Sequence, residues 1–255
     1  MATFLFNDII VGPIRSRRMG LSLGVNLLPT KHKFCNFDCI YCECGFNQPF
    51  NGSVASELPS RTQVIEHVTH TLQTIPQKPD AITFAGNGEP TIHPEFAQII
   101  DDVIQLRNTY SPQSEVVVLT NATQLHKTQV FNALQKVDRC MLKLDSAIPE
   151  TIAAINQPAN MSFIDNFIHK MQLFKGKKII QTMFLRGVVN GKIIDNTTNA
   201  EIDALIDVYK RVQVDEVFIY SIQRDTPVKL ETISNEELTR IAQRIQAAHI
   251  SVTIS

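Results

Sequence analysis

Four of the five cysteines in this 255-residue chain lie close together, at positions 35, 39, 42 and 44. Thiolates at such short spacings on one loop can face a common point. Cubane iron–sulfur clusters are held by cysteine thiolates, normally four, so a site with three thiolates leaves one iron open to another ligand. Zinc held by all four thiols is the alternative, but structural zinc sites usually join two separated ligand pairs. The spacing Cys35-x3-Cys39-x2-Cys42 therefore favours an iron–sulfur cluster over zinc.

Three further polar segments contain residue types that can bind a charged ligand. They are the loop GNGEPT at residues 86–91, Asn121 in the sequence LTN, and the pair Lys143 and Asp145 in the sequence KLD. Lys143 and Asp145 are two residues apart, so on a strand their side chains share a face. That spacing fits either a buried ion pair or a pair of ligand-binding groups.

Apolar segments that alternate with amphipathic ones must position these residues. Short apolar runs predict strands, and between them apolar residues recur at helical spacing. Six main strands are predicted at residues 21–28, 81–85, 116–119, 140–144, 179–185 and 217–222, and a short one follows at 251–254. Three of the intervening helices have capping signatures that begin at Ser60, Thr198 and Ser234. This alternation predicts a parallel sheet with right-handed crossovers.

Six strand–helix units are too few to close an eight-stranded barrel, so an open three-quarter barrel and a doubly wound sheet both fit. In either architecture ligands bind at the carboxyl ends of the strands. The thiols follow the first predicted strand, the GNGEPT loop the second, Asn121 the third and Asp145 the fourth. The sequence therefore places these polar residues at one edge of one α/β sheet.

Composition excludes several other classes of protein. Hydrophobic residues make up 44% of the chain, and 24 Lys and Arg are balanced by 25 Asp and Glu, for a net charge of −1. A dedicated nucleic-acid-binding domain is usually strongly basic. No apolar run approaches the roughly 20 residues that span a bilayer, and the N-terminus lacks the pattern of a signal peptide. We therefore expect a cytoplasmic globular protein with no membrane partner, whose thiols are kept reduced.

The cysteine segment resembles the signature of a known family. Residues 34–42, with the sequence FCNFDCIYC, are similar to the CxxxCxΦC motif of the radical S-adenosylmethionine (radical SAM) superfamily, with Tyr41 at the Φ position. Residues 86–90 are similar to the GGEP segment of that family, with an asparagine between the glycines. Residues 12–20 and 22–29 are similar to the opening of short members that are grouped near the tRNA wybutosine-synthesis enzymes. The resemblance implies a partial (β/α)6 TIM-like barrel of the radical SAM type.

The resemblance also implies two cofactors. Cys35, Cys39 and Cys42 would ligate a [4Fe–4S] cluster, with S-adenosylmethionine bound to its open iron. Reduction by an external electron donor would cleave S-adenosylmethionine to methionine and a 5′-deoxyadenosyl radical, which takes a hydrogen atom from an unidentified substrate. The cofactors supply this chemistry and the protein positions them. The residues implied to bind S-adenosylmethionine are Tyr41, Gly86, Gly88, Glu89, Asn121, Lys143 and Asp145.

Each implied cofactor-binding residue has an expected task. The two glycines let the backbone approach the methionine ammonium group, and Glu89 contributes charge or braces the loop. The asparagine contacts the cofactor at the end of its strand. Lys143 pairs with the methionine carboxylate, Asp145 binds the ribose hydroxyls, and the Tyr41 ring packs by the adenine.

Other reactive residues have simpler interpretations. Cys44 lies outside the family motif and is expected to be a bystander near the cluster, while Cys140 begins a strand, where a free cysteine is often simply buried. His93 either begins a helix or faces the site. Basic residues form three groups, Arg15/Arg17/Arg18, Lys31/His32/Lys33 and Lys175/Lys177/Lys178. All three groups fit solvated surface, and the first two could instead hold an anionic substrate, a phosphate or an RNA backbone.

We expect a single domain over residues 1–255, with a core of about 20–225, a basic N-terminal segment 1–20 and a C-terminal extension 226–255. Because the chain is little larger than that core, its own short segments, such as the 43–60 loop, or a macromolecular partner must cover the site. RNA, including tRNA, and protein are both candidate substrates. The alternative function is a non-catalytic zinc- or iron–sulfur-binding sensor or scaffold protein.

Overall fold

The computed structural model of this protein describes residues 4–16, 18–48, 57–161 and 163–255. Within these ranges the strands are β1 (Ile10–Ser16), β2 (Gly20–Val25), β3 (Ala81–Phe84), β4 (Glu115–Thr120), β5 (Arg139–Lys143), β6 (Lys178–Val189), β7 (Lys192–Asp195), β8 (Glu216–Ser221), β9 (Leu230–Thr232) and β10 (Val252–Ile254). The helices are α1 (Arg61–Thr74), α2 (Phe96–Tyr110), α3 (Thr128–Leu134), α4 (Pro149–Ile155), α5 (Phe163–Leu173), α6 (Asn199–Val212) and α7 (Asn235–Ala247). Among the described helices, none combines the length and apolar character needed to cross a membrane.

Six strands form the parallel sheet that the sequence predicts. β2, β3, β4, β5, β6 and β8 are parallel neighbours in that order. Because spatial order follows chain order, every crossover moves in the same direction, and right-handed crossovers then place their helices on the same face. A doubly wound sheet reverses its direction at a switch point. The observed order therefore excludes the doubly wound alternative and leaves the open barrel.

The two edges of this wall pair with outer strands. β1 is antiparallel to β2, and β10, the predicted terminal strand, is parallel to β8. The sequence analysis missed β1 because Gly12 and Pro13 interrupt its apolar pattern. Proline lacks a backbone N–H and is tolerated on an edge strand, and the register of β1 shifts between Val11 and Ile14.

β6 extends beyond its predicted end at residue 185. The extension reaches Val189 and pairs with β7 and β9, both antiparallel and neither predicted from the sequence. Asn190 and Gly191, with φ of 50° and 76°, form the turn into β7. The extension was missed because Val188 is 62% exposed, so this end of the strand has no continuous apolar face to indicate it.

The capping signatures correctly predict where three helices begin. Ser60, Thr198 and Ser234 are the N-caps of α1, α6 and α7, and each side chain accepts a hydrogen bond from the backbone N–H three residues later. In α1 the Gln63 side chain also accepts from the Ser60 backbone N–H, which completes a capping box. These caps set the points at which the preceding loops must end.

The inward-facing side chains of the parallel strands form two layers, one apolar and one that lines a cavity. An apolar plug fills the barrel toward the amino ends of the strands and consists of Met19, Ala81, Val117, Met141, Ile179 and Phe218. Two residues further along β4, β5, β6 and β8 come Leu119, Lys143, Gln181 and Tyr220, which line a cavity. Since side chains two residues apart on a strand share a face, the plug forms one layer and the cavity lining forms the next.

Candidate functional site

One cavity, with a volume of about 330 Å³, lies toward the carboxyl ends of the parallel strands. Most of the residues predicted for the site line it, namely Cys35, Cys39, Cys42, Tyr41, Gly86, Gly88, Glu89, Asn121 and Lys143. Asp145 is the one predicted site residue that does not line the cavity. Four separate loops and strands thus meet at one place, as the strand order predicts.

The cysteine loop is held in place by a buried lysine. The Lys33 side chain, 1% exposed, donates from Nζ to Asp38 Oδ1 at 3.1 Å and to the carbonyl of Gly45 at 3.0 Å. Asp38 Oδ1 also accepts from the backbone N–H of Asn47 at 2.7 Å. Lys33 therefore joins the middle of the cysteine loop to its end, and its charge lies beside the cysteines.

Burial and neighbouring groups give the three thiols different pKa values. Burial raises the pKa of Cys35 well above its usual value, and it raises the pKa of Cys39 to about 11. The pKa of Cys42 is lowered to about 6, first by a hydrogen bond with the Cys44 thiol and then by the charge of Lys33. Cys42 is therefore the member of the group that ionises most readily.

Glu89 braces two loops. Its Oε1 accepts from the Thr91 backbone N–H at 3.1 Å and from Thr120 Oγ1 at 2.7 Å, and its Oε2 accepts from the Asn121 backbone N–H at 2.6 Å. Burial raises the pKa of this carboxyl group, while these hydrogen bonds act in the opposite direction. Of the two tasks expected for Glu89, this geometry favours bracing.

The two glycines of the GNGEPT loop pack against protein atoms. A Cβ on Gly88, whose φ is +143°, would lie 1.9 Å from the carbonyl oxygen of Phe34. A Cβ on Gly86 would lie 2.1 Å from Asn26 Oδ1. Glycine is therefore needed here to let this loop approach the cysteine loop and β2, whereas the sequence analysis gave closeness to the cofactor as the reason.

Asn87, which separates the two glycines, is fully buried and ties three segments together. Its side chain exchanges two hydrogen bonds of 2.8 Å with the backbone of Phe6 and donates to the carbonyl of Pro29 at 2.7 Å. The backbone carbonyl of Asn87 accepts a hydrogen bond from the backbone N–H of Phe34 at 2.8 Å. The departure from the GGEP pattern thus fixes the N-terminal segment across the barrel, with Phe6 in the cavity lining.

Asn121 lies beside the first thiol. Its Nδ2 donates to Asn36 Oδ1 at 2.8 Å and lies 3.7 Å from Cys35 Sγ. Its Oδ1 accepts from Thr123 Oγ1 at 2.7 Å. The predicted residue is therefore in the site, with its amide directed in part to the cysteine loop.

Asp145 is fully buried below the cavity and joins three neighbours. Its Oδ2 accepts from the Tyr41 hydroxyl and from Asn156 Nδ2, the latter at 2.7 Å, and its Oδ1 accepts from the Met183 backbone N–H at 2.9 Å. Lys143 Nζ is 3.9 Å from Oδ1. In this structure the carboxylate therefore orients Tyr41, and its contact with ribose stays a prediction.

Lys143 lies between two tyrosine rings. Its Nζ donates to the Tyr220 hydroxyl at 3.1 Å and is 4.9 Å from the centre of the Tyr41 ring. Burial is the largest influence and acts to lower the pKa of Lys143, but Asp145, Tyr220 and Cys39 together outweigh it and the net shift is upward. Lys143 is therefore a fixed cation in the cavity lining.

Asn156 was missed by the sequence analysis. It follows α4, and its Nδ2 lies 3.5 Å from Cys39 Sγ and 3.3 Å from the Tyr41 hydroxyl. Its carbonyl accepts from the Asp38 backbone N–H at 3.0 Å. An asparagine at the end of a helix is usually a cap, so no local signal could have indicated its contact with a cysteine 117 residues away.

The remaining reactive residues have the positions that their simpler interpretations require. Cys140 is buried in β5, and His93 accepts a hydrogen bond from the Glu95 backbone N–H at its Nδ1, near the start of α2. Cys44 also lines the cavity, with its Sγ 3.8 Å from the carbonyl of Gly86. It is close to the predicted cluster ligands, as expected of a neighbour outside the motif.

The residues of the three basic sequence groups lie in different surroundings in the structure. Arg18 lines the cavity, whereas Arg15 is exposed and lines a different pocket with Asp80. Arg17 and the part of the 43–60 loop at residues 49–56 lie outside the described residues. Lys33 is committed to the cysteine loop, and Lys177 forms an ion pair with Glu216 at 3.7 Å on the surface.

The chain is similar to proteins of known family and structure. The model of the Radical SAM superfamily matches residues 31–196, well over half of the chain. A UPF0026 protein of Helicobacter pylori strain J99 is 24% identical over 247 residues, which cover 96% of this chain and 76% of the relative.

Two solved structures have the same fold. Streptococcus suis SuiB bound to S-adenosylmethionine has a TM-score of 0.63 and 15% identity, over 91% of this chain and 50% of that one, so the chain spans about half the length of SuiB. Archaeal TYW1 has a TM-score of 0.51 and 12% identity, over 89% of this chain and 72% of that one. Similarity at this level shows the fold alone, and it confirms the predicted partial barrel. Together with the match over residues 31–196, it shows that the chain belongs to the radical SAM superfamily.

Proposed function

We propose that this protein binds a [4Fe–4S] cluster and S-adenosylmethionine and removes a hydrogen atom from a substrate that has yet to be identified. The observation that carries the proposal is the meeting of Cys35, Cys39 and Cys42 with the GNGEPT loop and Lys143 in one cavity, in a chain of the radical SAM superfamily. When bound and reduced by one electron, the two cofactors supply a 5′-deoxyadenosyl radical and free methionine.

The donor set fits a cluster. A single zinc ion needs every thiolate about 2.3 Å from one point, and within the described residues no group of three or more Cys, His, Asp or Glu is arranged to hold one ion. In a cubane cluster each thiolate binds its own iron, so the sulfur atoms stand further apart. Cys35, Cys39 and Cys42 are free thiols that line one cavity and would supply three such ligands, and Lys33 supplies a cation beside them.

The polar lining fits the groups of S-adenosylmethionine. Lys143 is a partly buried cation in the cavity lining that would bind the methionine carboxylate. Tyr41, held by Asp145, presents a ring edge or face on which the adenine would pack. Asn121 is next to Cys35, where it would contact the cofactor, and Glu89 keeps the loops of Gly86 and Asn121 at a fixed separation. A ribose contact by Asp145 would require the ribose to reach a buried carboxylate that does not line the cavity in this structure.

The partners of this site follow from its chemistry. The reaction needs a one-electron donor outside the chain. Of the N-terminal segment, Phe4 and Phe6 line the cavity, and the substrate, either RNA such as tRNA or a protein, would complete the enclosure itself. We place the reaction in the cytoplasm, where thiols and iron–sulfur clusters are kept reduced, and we treat residues 1–255 as one domain.

Anaerobic reconstitution tests this function. The protein is loaded with iron and sulfide, reduced, and supplied with S-adenosylmethionine, and 5′-deoxyadenosine is quantified by mass spectrometry. Wild-type protein should form 5′-deoxyadenosine, and Cys39→Ala should form none. Cys140→Ala is the matched control, because Cys140 is a buried cysteine away from the cavity, and it should keep both the iron content and the product.

The possible results are distinct. Zinc in place of iron in the purified and reconstituted protein would contradict the proposal and favour a sensor or scaffold. A reducible cluster that is indifferent to S-adenosylmethionine, even with RNA and protein fractions added, would contradict the catalytic part. Stimulation of product by RNA but not protein, or the reverse, would identify the substrate class.

A further inference from the structure

Three of the charged side chains that line the cavity form ion pairs within the protein. Lys143 is beside Asp145, and Glu43 forms an ion pair with Arg224 at 2.5 Å. Lys33 is paired with Asp38 at 3.1 Å. Each of these side chains therefore has its charge balanced within the protein.

Glu89 also lines the cavity without an ion pair, but both of its carboxylate oxygens accept hydrogen bonds from the protein. Arg18 differs from all of these groups. No carboxylate in the described part of the chain forms an ion pair with it, and the residues outside that part include neither Asp nor Glu. Among the residues that the structure describes, its guanidinium makes one hydrogen bond, from Nη1 to the neutral amide oxygen of Gln181 at 3.1 Å. A guanidinium has five N–H donors, so most of its donor capacity is unused.

The guanidinium is nevertheless held in place. Arg18 Cζ lies 4.6 Å from the centre of the Tyr220 ring, at a separation typical of cation–π contacts. The neighbouring Met19 belongs to the apolar plug. The arginine therefore lies between an apolar layer and the cavity, where a charge without a partner is unfavourable and an oxyanion would be attracted.

We propose that Arg18, positioned by Gln181 and Tyr220, binds an oxyanion of the substrate, either a carboxylate or a phosphate. The planar fork of arginine matches both groups through two parallel hydrogen bonds. This inference rests on the proposed function, because it assigns Lys143 to the methionine carboxylate and leaves Arg18, which contacts the Tyr220 ring, for the second ligand of the same cavity.

Calorimetric titration tests the anion site. Sodium phosphate and sodium acetate are titrated separately into reconstituted protein that contains S-adenosylmethionine. Wild-type protein should bind at least one of them, and Arg18→Gln should bind that anion about tenfold more weakly or worse, since hydrogen bonds to charged groups are strong. The anion that binds more tightly distinguishes a phosphate from a carboxylate on the substrate.

Two further variants keep the test decisive. Arg15→Gln removes the exposed arginine of the same hairpin and should bind anions as the wild type does. Arg18→Lys keeps the charge without the fork and should bind more weakly than wild type, which decides the question if Arg18→Gln does not fold. Equal binding by wild type and both Arg18 variants, or no binding of either anion by wild type, would overturn the inference.

The same preparation tests the anion site separately from the proposed function on which it rests. Formation of 5′-deoxyadenosine by the wild-type protein reports on the radical chemistry without any anion present. Product without an Arg18-dependent anion site would overturn the inference and leave the proposed function standing. An Arg18-dependent site in a protein that forms no product, even with RNA and protein fractions added, would support the subsite and contradict the radical chemistry.

Discussion

The buried polar residues around the thiols act mainly by holding one another. Tyr41, Asn156 and the Met183 backbone all donate to one carboxylate, that of Asp145, and Lys143 is close enough to share its charge. Replacing one member of such a group should strongly reduce the stability of the fold, since the remaining charges and donors then lack partners.

Replacement of Asp145 by asparagine should therefore destabilise the fold. Asp145→Asn leaves Lys143 as a partly buried cation without its counter-charge and leaves the buried Tyr41 and Asn156 with a weaker acceptor, and the free energy of unfolding should fall by about 3 kcal/mol. Urea denaturation of the anaerobic protein measures the change. Asp207→Asn is the control, because Asp207 is exposed and paired with Arg211 across one helical turn, and it should change the stability by less than about 0.5 kcal/mol. Equal stabilities for the two variants would contradict this account.

A substitution at Glu89 tests a second set of buried hydrogen bonds. Both of its oxygens accept from backbone N–H groups, those of Thr91 and Asn121, so a glutamine must direct its NH2 group at one of these donors. Glu89→Gln should lower the free energy of unfolding by about 1–3 kcal/mol. The exposed Glu231 supplies the control, since Glu231→Gln should have almost no effect in the same denaturation experiment. A Glu89→Gln protein as stable as wild type would show that the bracing hydrogen bonds are dispensable.

The relation between whole loops depends on backbone contacts. The GNGEPT loop and the cysteine loop meet at a bridge between Phe34 and Gly88, with a hydrogen bond from the Glu89 backbone N–H to the Phe34 carbonyl at 3.2 Å. The separation of the two loops is therefore set by glycine as well as by strand register.

A methyl group at this contact should separate the loops. Gly88→Ala would place Cβ against the Phe34 carbonyl, and iron bound after reconstitution should fall to less than half of the wild-type value. Gly191→Ala is a matched control, because Gly191 also has a positive φ but has no atom within 4 Å of the added Cβ. That variant should keep its iron and lose about 1 kcal/mol of stability. Full iron in Gly88→Ala would contradict the role of this contact.

In the whole molecule, the cavity joins residues from the N-terminal segment to β8. Phe6, Cys35, Asn121 and Tyr220 are far apart in the chain and line the same space. A ligand that fills this space binds the folded state alone, and it should therefore stabilise the entire fold by mass action.

S-adenosylmethionine should accordingly raise the melting temperature of the reconstituted protein. At about 100 times its dissociation constant, the expected stabilisation is about 2.7 kcal/mol. Anaerobic differential scanning calorimetry measures the shift with and without the ligand. Cys39→Ala, which lacks one proposed ligand of the cluster, should show a much smaller shift. A shift of the same size in this variant would mean that S-adenosylmethionine binds independently of the cluster.

The amino-acid sequence by itself determined the parts of this protein that have a local physical cause. Apolar runs and alternation predicted the six parallel strands, capping residues predicted the starts of α1, α6 and α7, and the spacing of Cys35, Cys39 and Cys42 indicated a shared site. Strand order along the chain then placed the polar residues at one edge, because parallel strands have their carboxyl ends together.

Only the tertiary structure decided how those residues are used. Asn156 reaches Cys39 across 117 positions, and Arg18 reaches Gln181 across 163. Contacts at such separations have no local pattern, since they depend on how the sheet curls and on which side chains already have partners. The same is true of Gly88, whose need for glycine comes from the Phe34 carbonyl, and of Asp145, whose carboxylate the fold commits to Tyr41 and Asn156.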